Sequence, residues 1–357
     1  MPFILMYGSD DKSRLWAQSL KKHFGVEAIR LKRYPILSPL TILWTLATRG
    51  RPRGIVFRYL NDYPSLVKSV LKLTSEFLVV LIAKLLRIRV AWICHNVDRE
   101  TWMYHPRITT LRRKIIGDAA VKVYVTDPGL LRHAERLLPE YKNKLDYVTF
   151  GRPGDGPRNL TAPSWWRDFE SFVESSKSNL SGSVKRLIGL SFGHASWKTV
   201  HYEQTKRLLD AAWTSGYDLR LIILGPIREF LEKYAPDTLR ELMNDRRVFL
   251  VDQYVKINEA ELVKYVDFYW RAYRDYSVPY GMYCAAHYKK PVLTYDVGFL
   301  SEAVRIYSLG AVISIDFSNI RQALDAIAEW DETAAERFLE SHTWEEGARR
   351  LIRFLEV

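Results

Sequence analysis

The stretch YVDFYWRAYRDYSVPYGMYCAAHYKKPVLTYDVGFLSEAV, residues 265–304, carries the most informative pattern of this sequence. A short apolar run ends at Arg271, and a Tyr-rich polar loop and a short helical pattern follow. A second apolar run opens with Pro291 and leads through a glycine loop to Glu302. Strand, loop, helix and strand in this order predict a parallel β-α-β unit. A loop that leads into a helix N-terminus favours binding of a diphosphate.

The same alternation of short apolar runs and helical patterns extends over the whole chain. It predicts parallel sheets that are covered by helices on both faces, an α/β fold. The helical patterns of the first half include 11–23 and 64–87. The strands predicted in the first half are 3–7, 26–31, 54–59, 89–94, 121–126 and 146–150. Those predicted in the second half are 186–192, 220–224, 248–251, 268–271, 291–295 and 311–315.

A change of composition separates the two halves. A Gly/Pro-rich stretch, a short amphipathic pattern at 165–175 and a Ser-rich run are typical of a linker that contains one helix. We therefore predict two doubly wound, Rossmann-like domains joined by this linker. The predicted bounds are 1–152 for the first domain, 153–184 for the linker, 185–335 for the second domain and 336–357 for a terminal helical segment.

The length of 357 residues and a hydrophobic content of 48% suit two ordinary globular domains. No apolar stretch is long enough to span a membrane, and the first residues lack the pattern of a signal peptide. Cys94 and Cys284 form no CxxC or Cys/His cluster, so neither a disulfide framework nor a zinc site is predicted. These features favour a cytoplasmic protein.

The positive charge of the chain is concentrated in its first half. Residues 1–150 contain 26 Lys and Arg against 12 Asp and Glu, a net charge of +14. Residues 151–357 contain 27 against 29, a net charge of −2. This asymmetry indicates an anionic partner for the first domain, such as a membrane surface, a phosphorylated substrate or a nucleic acid.

Candidate binding residues follow the predicted strands of the second domain, where open α/β sheets bind their ligands. Gly193 allows a close approach of the backbone to a phosphate, and Lys198 adds a positive charge. Arg271 or Arg274 could add another, and Glu302 could accept hydrogen bonds from ribose hydroxyls. The alternatives are an ordinary turn for the glycine, a first-turn helix acid for Glu302 and simple packing for the tyrosines.

The 265–304 stretch resembles the donor-binding signature of GT-B glycosyltransferases. The matching residues are Asp267, Ala272-Tyr273-Arg274, Ser277, Lys289-Lys290-Pro291-Val292 and Val297-Gly298-Phe299-Leu300-Ser301-Glu302. The resemblance implies two Rossmann-like domains facing across a cleft, with a UDP- or GDP-sugar as donor substrate and no further cofactor. It also implies the donor-binding residues Gly193, Lys198, Gly225, Gln253, Tyr254, Tyr273, Arg274, Ser277 and Glu302.

The sequence departs from that signature in two places. Lys289 stands where the family has a glycine, and the Glu-x7-Glu pair of many retaining members falls on Tyr276 and Cys284. Loss of both carboxylates favours inverting chemistry, with a general base in the first domain. No Asp-x-Asp at a strand end is present, so we expect no metal; basic side chains and a helix N-terminus can neutralise a leaving diphosphate.

The candidates for the general base follow strand 89–94. The run from His95-Asn96 to Glu100 resembles the loop of many GT-B enzymes in which a His-Asn pair is followed by a glutamate. Asp98 and Glu100 are the first candidates and His95 is the next, because an inverting transfer needs a carboxylate or imidazole to take the proton of the acceptor hydroxyl. The alternative is that His95 and Asn96 only hold the loop in place while Glu100 is solvated.

Two segments of the first domain combine apolar and basic residues. The segment 30–53 has an apolar centre bracketed by arginines and lysines that include Lys32 and Arg33, and the helix 64–87 is apolar on most of its surface. This combination is typical of a surface that lies on an anionic membrane. The predicted membrane contacts are Trp44, Arg49, Arg51, Arg53, Lys68 and Lys72. The alternative is that both segments are core helices with solvated basic residues.

Together these observations predict a hexosyl-transferring enzyme on the inner face of the plasma membrane. Its acceptor would be a lipid-linked saccharide or another glycan, as in bacterial transferases of exopolysaccharide and lipopolysaccharide assembly, xanthan glucuronosyltransferases among them. Three alternatives stay open: a soluble GT-B transferase acting on a non-lipid acceptor, a GT-B protein without catalysis, and a nucleic-acid-binding protein. No nucleic-acid-binding module is recognised, so a nucleic-acid partner is not expected.

Overall fold

A computed structural model describes residues 1–8, 10–31, 35–154, 162–177, 184–255 and 257–356. Parts of the predicted linker, and Lys32 and Arg33 of the basic segment, lie outside these residues. The chain divides into two compact units. The first comprises Met1–Gly151, Tyr276–Val278 and Ser341–Val357, and the second comprises Arg152–Asp275 and Pro279–Glu340.

The first unit is built on a parallel sheet of six strands in the order β2-β1-β3-β4-β5-β6. Its strands are β1 Phe3–Tyr7, β2 Glu27–Leu31, β3 Gly54–Arg58, β4 Arg89–Cys94, β5 Lys122–Val125 and β6 Leu145–Tyr147. All five residues of β1 and of β3 are buried. Burial on both faces explains why these strands are continuous apolar runs instead of alternating ones.

The second unit contains another parallel sheet of six strands, in the order β12-β11-β10-β7-β8-β9. Its strands are β7 Lys185–Phe192, β8 Tyr217–Leu224, β9 Val248–Val251, β10 Phe268–Trp270, β11 Val292–Tyr295 and β12 Gly310–Ile313. The order reverses at the pair β7 and β10. In open α/β sheets, the carboxyl ends of the strands at such a reversal form the binding site.

Helices connect the strands of both sheets. Those of the first unit are α1 Asp11–Phe24, α2 Ser38–Arg49, α3 Leu66–Leu85, α4 Pro106–Ala119, α5 Leu131–Leu137 and, near the C-terminus, α15 Trp344–Leu351. The others are α6 Trp166–Lys177, α7 Thr205–Thr214, α8 Arg228–Tyr234, α9 Pro236–Asn244, α10 Glu259–Leu262, α11 Tyr280–His287, α12 Gly298–Ile306, α13 Ile320–Ala328 and α14 Thr333–Ser341.

The twelve predicted strands are all present among the described residues, within three residues of their predicted ends. The largest difference at a carboxyl end is at β6, which ends at Tyr147 instead of residue 150. Val125, the last residue of β5, pairs with Tyr147, so the ladder offers no partner beyond that point. The doubly wound α/β class predicted from the sequence is therefore confirmed.

Helix α3 packs with its polar side inward. Ser69, Lys72, Ser75 and Glu76 are buried, and the Glu76 carboxylate accepts hydrogen bonds of 2.6 and 2.7 Å from the guanidinium of Arg112 on α4. A buried bidentate ion pair satisfies both charges at once, which makes this inward polar stripe tolerable. The prediction that Lys72 contacts a membrane is corrected, because its ammonium group points inward and donates to the carbonyl oxygen of Asn61 at 2.6 Å.

Candidate functional site

The carboxyl edge of the second sheet begins with two glycines. Gly193 follows β7 with φ of +109° and Gly225 follows β8 with φ of +147°, a region of backbone conformation that favours glycine. A Cβ atom at Gly225 would collide with the carbonyl oxygen of Gly193. The two turns therefore pack backbone against backbone, which brings the ends of β7 and β8 close together.

The N–H group of Gly193 is not directed at a ligand. It donates to the carbonyl oxygen of Leu224 at 2.9 Å and so continues the sheet, while the N–H of Ala195 donates to Pro226 at 3.4 Å. The N–H of Ser196 donates to the Thr199 hydroxyl at 2.8 Å. A phosphate at this edge must therefore be held mainly by groups other than these N–H groups.

Arg271, which directly follows β10, lies at the centre of this edge. Its side chain is buried, with 7% of the residue exposed, and its Nη1 donates to the Tyr273 hydroxyl at 3.0 Å. A Cβ atom at Gly193 would lie 3.3 Å from Nη2, and one at Gly281, in the first turn of α11, would lie 3.3 Å from Nε. The guanidinium thus lies between the β7 turn and the positive end of α11.

Two other basic residues of this edge are paired with carboxylates. The ammonium group of Lys198 lies 3.6 Å from the buried Asp275 and 5.1 Å from the centre of the Tyr273 ring. The exposed Arg274 forms an ion pair with Glu203 at 3.8 Å. Of the two arginines that the sequence offered as alternatives, the structure buries Arg271 at the edge and leaves Arg274 in solvent.

The remaining predicted donor residues are distributed around the same edge, with one exception. Glu302 lies in the middle of α12, the helix that follows β11, and Gln253 and Tyr254 are exposed beyond β9. Ser277 lies elsewhere: it belongs to the first unit, where it forms an antiparallel bridge with Asn96. This backbone bridge does not test what the Ser277 hydroxyl binds, so its role as a donor-binding residue stays a prediction.

His95 lies at the carboxyl edge of the first sheet, in an aromatic stack. Its ring is 4.1 Å from the Tyr59 ring and 6.1 Å from the Phe150 ring, nearly parallel to both. The Nε2 atom accepts a hydrogen bond of 3.1 Å from Nε of the buried Arg58. A nitrogen whose lone pair faces a guanidinium is a poor proton acceptor, which argues against His95 as the general base.

Asp10 completes this cluster. Its carboxylate lies 2.8 Å from Nη1 of Arg58 and accepts from the Tyr59 hydroxyl at 2.9 Å. Burial alone would raise the pKa of the Asp10 carboxyl, but the Arg58 guanidinium and hydrogen bonds from Ser13 hold that pKa well below its ordinary value. Asp10 and Arg58 were absent from the sequence-based candidates, although Asp10 lies three residues after the predicted strand 3–7 and Arg58 is the penultimate residue of the predicted strand 54–59.

The two acidic candidates after β4 have opposite surroundings. Glu100 is 1% exposed and lies 3.1 Å from Nη1 of Arg113, and burial raises the pKa of its carboxyl in spite of this ion pair. Asp98 is exposed, and its Oδ1 accepts from the N–H of Tyr276 at 3.4 Å. Glu100 is placed to hold the loop, whereas the carboxylate of Asp98 is open to solvent.

The exposed sides of α2 and α3 form a second candidate site, which we call the apolar surface. Helices α2 and α3 contact each other, and Trp44 and Leu85 are 70% and 72% exposed. Its other exposed side chains are Leu40, Leu43, Leu66, Val67, Val70, Leu71, Phe77, Leu78 and Leu81. So many exposed apolar side chains on adjoining helices indicate an interaction surface. None of the described helices has the length and hydropathy needed to cross a bilayer.

The predicted basic contacts lie beside this surface. Arg51, Arg53 and Lys68 are exposed, and Arg49 is exposed but pairs with Glu27 at 2.9 Å. Arg51 donates to the carbonyl oxygen of Arg87. The basic residues therefore rim the apolar surface, with the exception of the inward-facing Lys72.

Comparison with solved structures finds the same fold over the full length of this chain. HepE from Anabaena, crystallised in complex with UDP, is similar with a TM-score of 0.61 at 13% identity, covering 100% of both chains. Sucrose-phosphate synthase from Thermosynechococcus elongatus has a TM-score of 0.64 at 12% identity, covering 100% of this chain and 98% of its own. WaaG, a glycosyltransferase involved in lipopolysaccharide biosynthesis, has a TM-score of 0.55 at 10% identity, covering 99% of each chain.

No protein-family model matches the sequence, and no curated protein is similar to it in sequence. The likeness to the solved structures shows a shared fold, and that fold is GT-B. The resemblance inferred from residues 265–304 is thus confirmed at the level of the fold.

Proposed function

We propose that this protein is a glycosyltransferase that moves a sugar from a nucleoside-diphosphate sugar to an acceptor hydroxyl. The observation that carries the proposal is the carboxyl edge of the second sheet in a GT-B chain. There Arg271 lies buried between a glycine turn and the N-terminus of α11. A buried cation beside a helix N-terminus has the chemistry that binds a diphosphate.

The donor is a UDP- or GDP-sugar. The UDP in the HepE crystal supports uracil as the base. Exposed Gln253 and Tyr254 would lie against the base, and Glu302 would accept hydrogen bonds from the ribose hydroxyls. The diphosphate would then lie at the start of α11, as expected for an anion at a helix N-terminus.

The reaction is inverting and needs no metal. Asp98 takes the proton of the acceptor hydroxyl as its oxygen attacks the anomeric carbon of the donor. A bond forms between that oxygen and the anomeric carbon, and the bond from the anomeric carbon to the diphosphate oxygen breaks on the opposite face. The nucleoside diphosphate leaves with the bonding electron pair, and the cationic edge stabilises its growing negative charge.

The acceptor is a lipid-linked saccharide at the cytoplasmic face of the plasma membrane. The orientation of α3 supports a membrane location, because its apolar side chains face outward while Glu76 and Lys72 face the core. Between residues 28 and 97 the sequence has two acidic residues, Asp62 and Glu76, and both are buried. An apolar surface whose rim is mostly basic suits an anionic membrane better than a second copy of this cationic unit.

The role of WaaG in lipopolysaccharide biosynthesis supports an acceptor of the same class. A lipid-linked saccharide would present its sugar at the depth at which a membrane-bound enzyme can reach it. The proposal therefore joins the two candidate sites: one binds the donor, and the other places the protein on the membrane that holds the acceptor.

Replacement of Glu302 by alanine tests the donor site. Loss of hydrogen bonds to a charged carboxylate costs about 1.5–3 kcal/mol, so the dissociation constant for the nucleoside diphosphate should rise roughly 10- to 150-fold. Isothermal titration calorimetry measures this constant. Glu329→Ala, at an exposed position after α13, is the matched control and should bind normally. Equal affinity of wild type and Glu302→Ala would remove Glu302 from the donor site.

A further inference from the structure

A wide cavity lies at the amino edge of the second sheet, opposite the carboxyl edge that carries the donor site. Its volume is about 990 Å³, and its lining comes mainly from the starts of β7 and β8, from α7 and α9, and from the turn before β9. Arg186 in this lining lies six positions before Phe192, the last residue of β7, which is roughly 20 Å along the strand. A ligand in the cavity would therefore not occupy the donor site.

The cavity is rich in cations although the half of the chain that contains it is slightly acidic. Residues 151–357 have a net charge of −2, yet six cationic side chains and three carboxylates line the cavity. The carboxylates are those of Asp218, Glu241 and Asp245. The cations are Arg186, Lys206, Arg220, Arg240, Arg246 and Arg247. Five guanidinium groups around one cavity favour an anion with several oxygens.

Asp218 holds two of these arginines in place without using all of their N–H groups. Nε and Nη2 of Arg186 donate to Oδ2 of Asp218 at 2.9 and 2.8 Å, and Nε of Arg220 donates to the same oxygen at 3.4 Å. Among the described residues, no acceptor is found for Nη1 of Arg186 or for either Nη atom of Arg220. The carboxylate thus orients two guanidinium groups and leaves donors for a ligand.

Arg247 is held in the same way. Its Nε and Nη2 donate to Asp245 at 2.9 and 2.6 Å, and Nη2 also donates to the exposed Asp210 at 2.7 Å. Asp210 is shared with Lys206, whose ammonium group lies 3.3 Å from it. Nη1 of Arg247 has no acceptor in the part of the chain that the structure describes, so this guanidinium also keeps a donor for a ligand.

Arg240 and Arg246 line the cavity at exposed positions. Arg240 pairs with Asp237 at 3.4 Å, but the two side chains are 73% and 84% exposed, and ion pairs in solvent are weak. For Arg246, no ion pair is found within the described ranges. Glu241 is exposed as well, and solvent screens its repulsion of an anion. Both arginines are therefore available to a ligand, and neither is needed for packing.

We propose that this cavity binds a phosphate ester of a sugar or of a nucleoside, at a site separate from the donor site. A phosphate group has three acceptor oxygens and a charge of about −2, which suits several guanidinium groups better than a carboxylate does. Trp213 is 58% exposed in the same lining and offers a flat apolar face to the ring of a sugar or a base. The inference is independent of the proposed function, because no predicted donor residue lines the cavity.

The test measures dissociation constants of the whole chain for inorganic phosphate, glucose 6-phosphate and AMP by calorimetry. One variant combines Arg240→Gln with Arg246→Gln, and its melting temperature should equal that of the wild type because both side chains are exposed. The affinity for the phosphate ester should fall at least about 10-fold, since a charge-assisted contact is lost at each position. Arg321→Gln combined with Arg337→Gln removes two exposed arginines of α13 and α14 and should bind like the wild type.

Trp213→Ser tests the ring of the ligand separately from its phosphate. The affinity for the ester should fall about 3- to 10-fold, and that for inorganic phosphate should stay the same. The ester that binds the wild type more tightly, glucose 6-phosphate or AMP, identifies the ring as a sugar or a nucleoside.

Three results would overturn the proposal. Equal affinity of the wild type and the Arg240/Arg246 double variant would place the bound anion elsewhere, the donor site included. Binding of inorganic phosphate that neither ester exceeds would mean an adventitious ion only. The third result is that the wild-type protein binds none of the three probes.

Discussion

Asp98→Asn is expected to lower the turnover number roughly 100- to 10,000-fold, the range that a positioned general base contributes. The substitution preserves the size of the side chain and an oxygen that can accept from the N–H of Tyr276, so the loop after β4 should keep its conformation. The dissociation constant for the donor nucleotide should stay unchanged, because Asp98 belongs to the first unit and the donor residues to the second. Steady-state kinetics and calorimetry on the same preparation measure both quantities.

Glu100→Gln is the informative comparison for this experiment. Glu100 is buried against Arg113, so loss of its charge should lower the melting temperature, while the folded fraction keeps its turnover. Full turnover by Asp98→Asn would place the general base elsewhere. A stable but inactive Glu100→Gln would place it at Glu100.

Substitution of the apolar surface should release the protein from membranes. Leu40→Ser, Trp44→Ser and Leu85→Ser together remove three side chains that are each at least 65% exposed. Because burial of such a side chain contributes up to roughly 1.5–3 kcal/mol, we expect affinity for vesicles containing phosphatidylglycerol to fall at least about 100-fold. Vesicle cosedimentation measures the loss, and vesicles of phosphatidylcholine alone should bind the wild-type protein weakly.

The control for this experiment carries three equally drastic changes on the second unit. Trp213, Met243 and Ile315 are 58%, 52% and 60% exposed, and their replacement by serine should leave vesicle binding intact. Equal sedimentation of both triple variants would argue against the apolar surface as the membrane contact. If the wild-type protein is a dimer that does not bind vesicles, and the triple variant of the apolar surface is a monomer, that surface is the contact with a second copy instead.

The fold could be predicted closely because each strand of a doubly wound sheet is a local signal. Strand β4 coincides with its predicted range, and the Gly193 turn follows β7 as expected. Burial on both faces makes such strands unbroken apolar runs, and in the intervening helices the apolar residues recur with the helical period instead. Neither feature depends on contacts between distant parts of the chain.

The site residues were hardest to predict where contacts between distant residues decide how a side chain is placed. A helical pattern shows that α3 has a polar and an apolar side, but which side faces the core depends on Arg112, thirty-six positions after Glu76. Lys72 was therefore placed on the wrong side. Ser277 lies in a loop whose sequence does not show that its backbone pairs with Asn96. The contact of His95 with Arg58 is equally non-local, and it occupies the Nε2 atom of this candidate base.

The choice between Arg271 and Arg274 shows the same limit at short range. Both arginines lie in the loop after β10, and either could have met a phosphate on the evidence of sequence. They are three positions apart in irregular backbone, yet the side chain of Arg271 is buried while that of Arg274 is exposed and pairs with Glu203. Irregular loops have no fixed period from which the direction of a side chain can be derived.

The most direct test of the central claim, a nucleotide-sugar donor site in this GT-B protein, is a thermal-shift panel. The panel contains UDP, GDP, ADP and CMP and their sugar conjugates. A ligand at about 100 times its dissociation constant adds roughly 2.7 kcal/mol to stability, which corresponds to roughly 5–10 °C for a domain of this size. We predict a shift of this order with one nucleoside diphosphate and its sugar conjugate, and a smaller one with CMP. No shift with any nucleotide would contradict the claim.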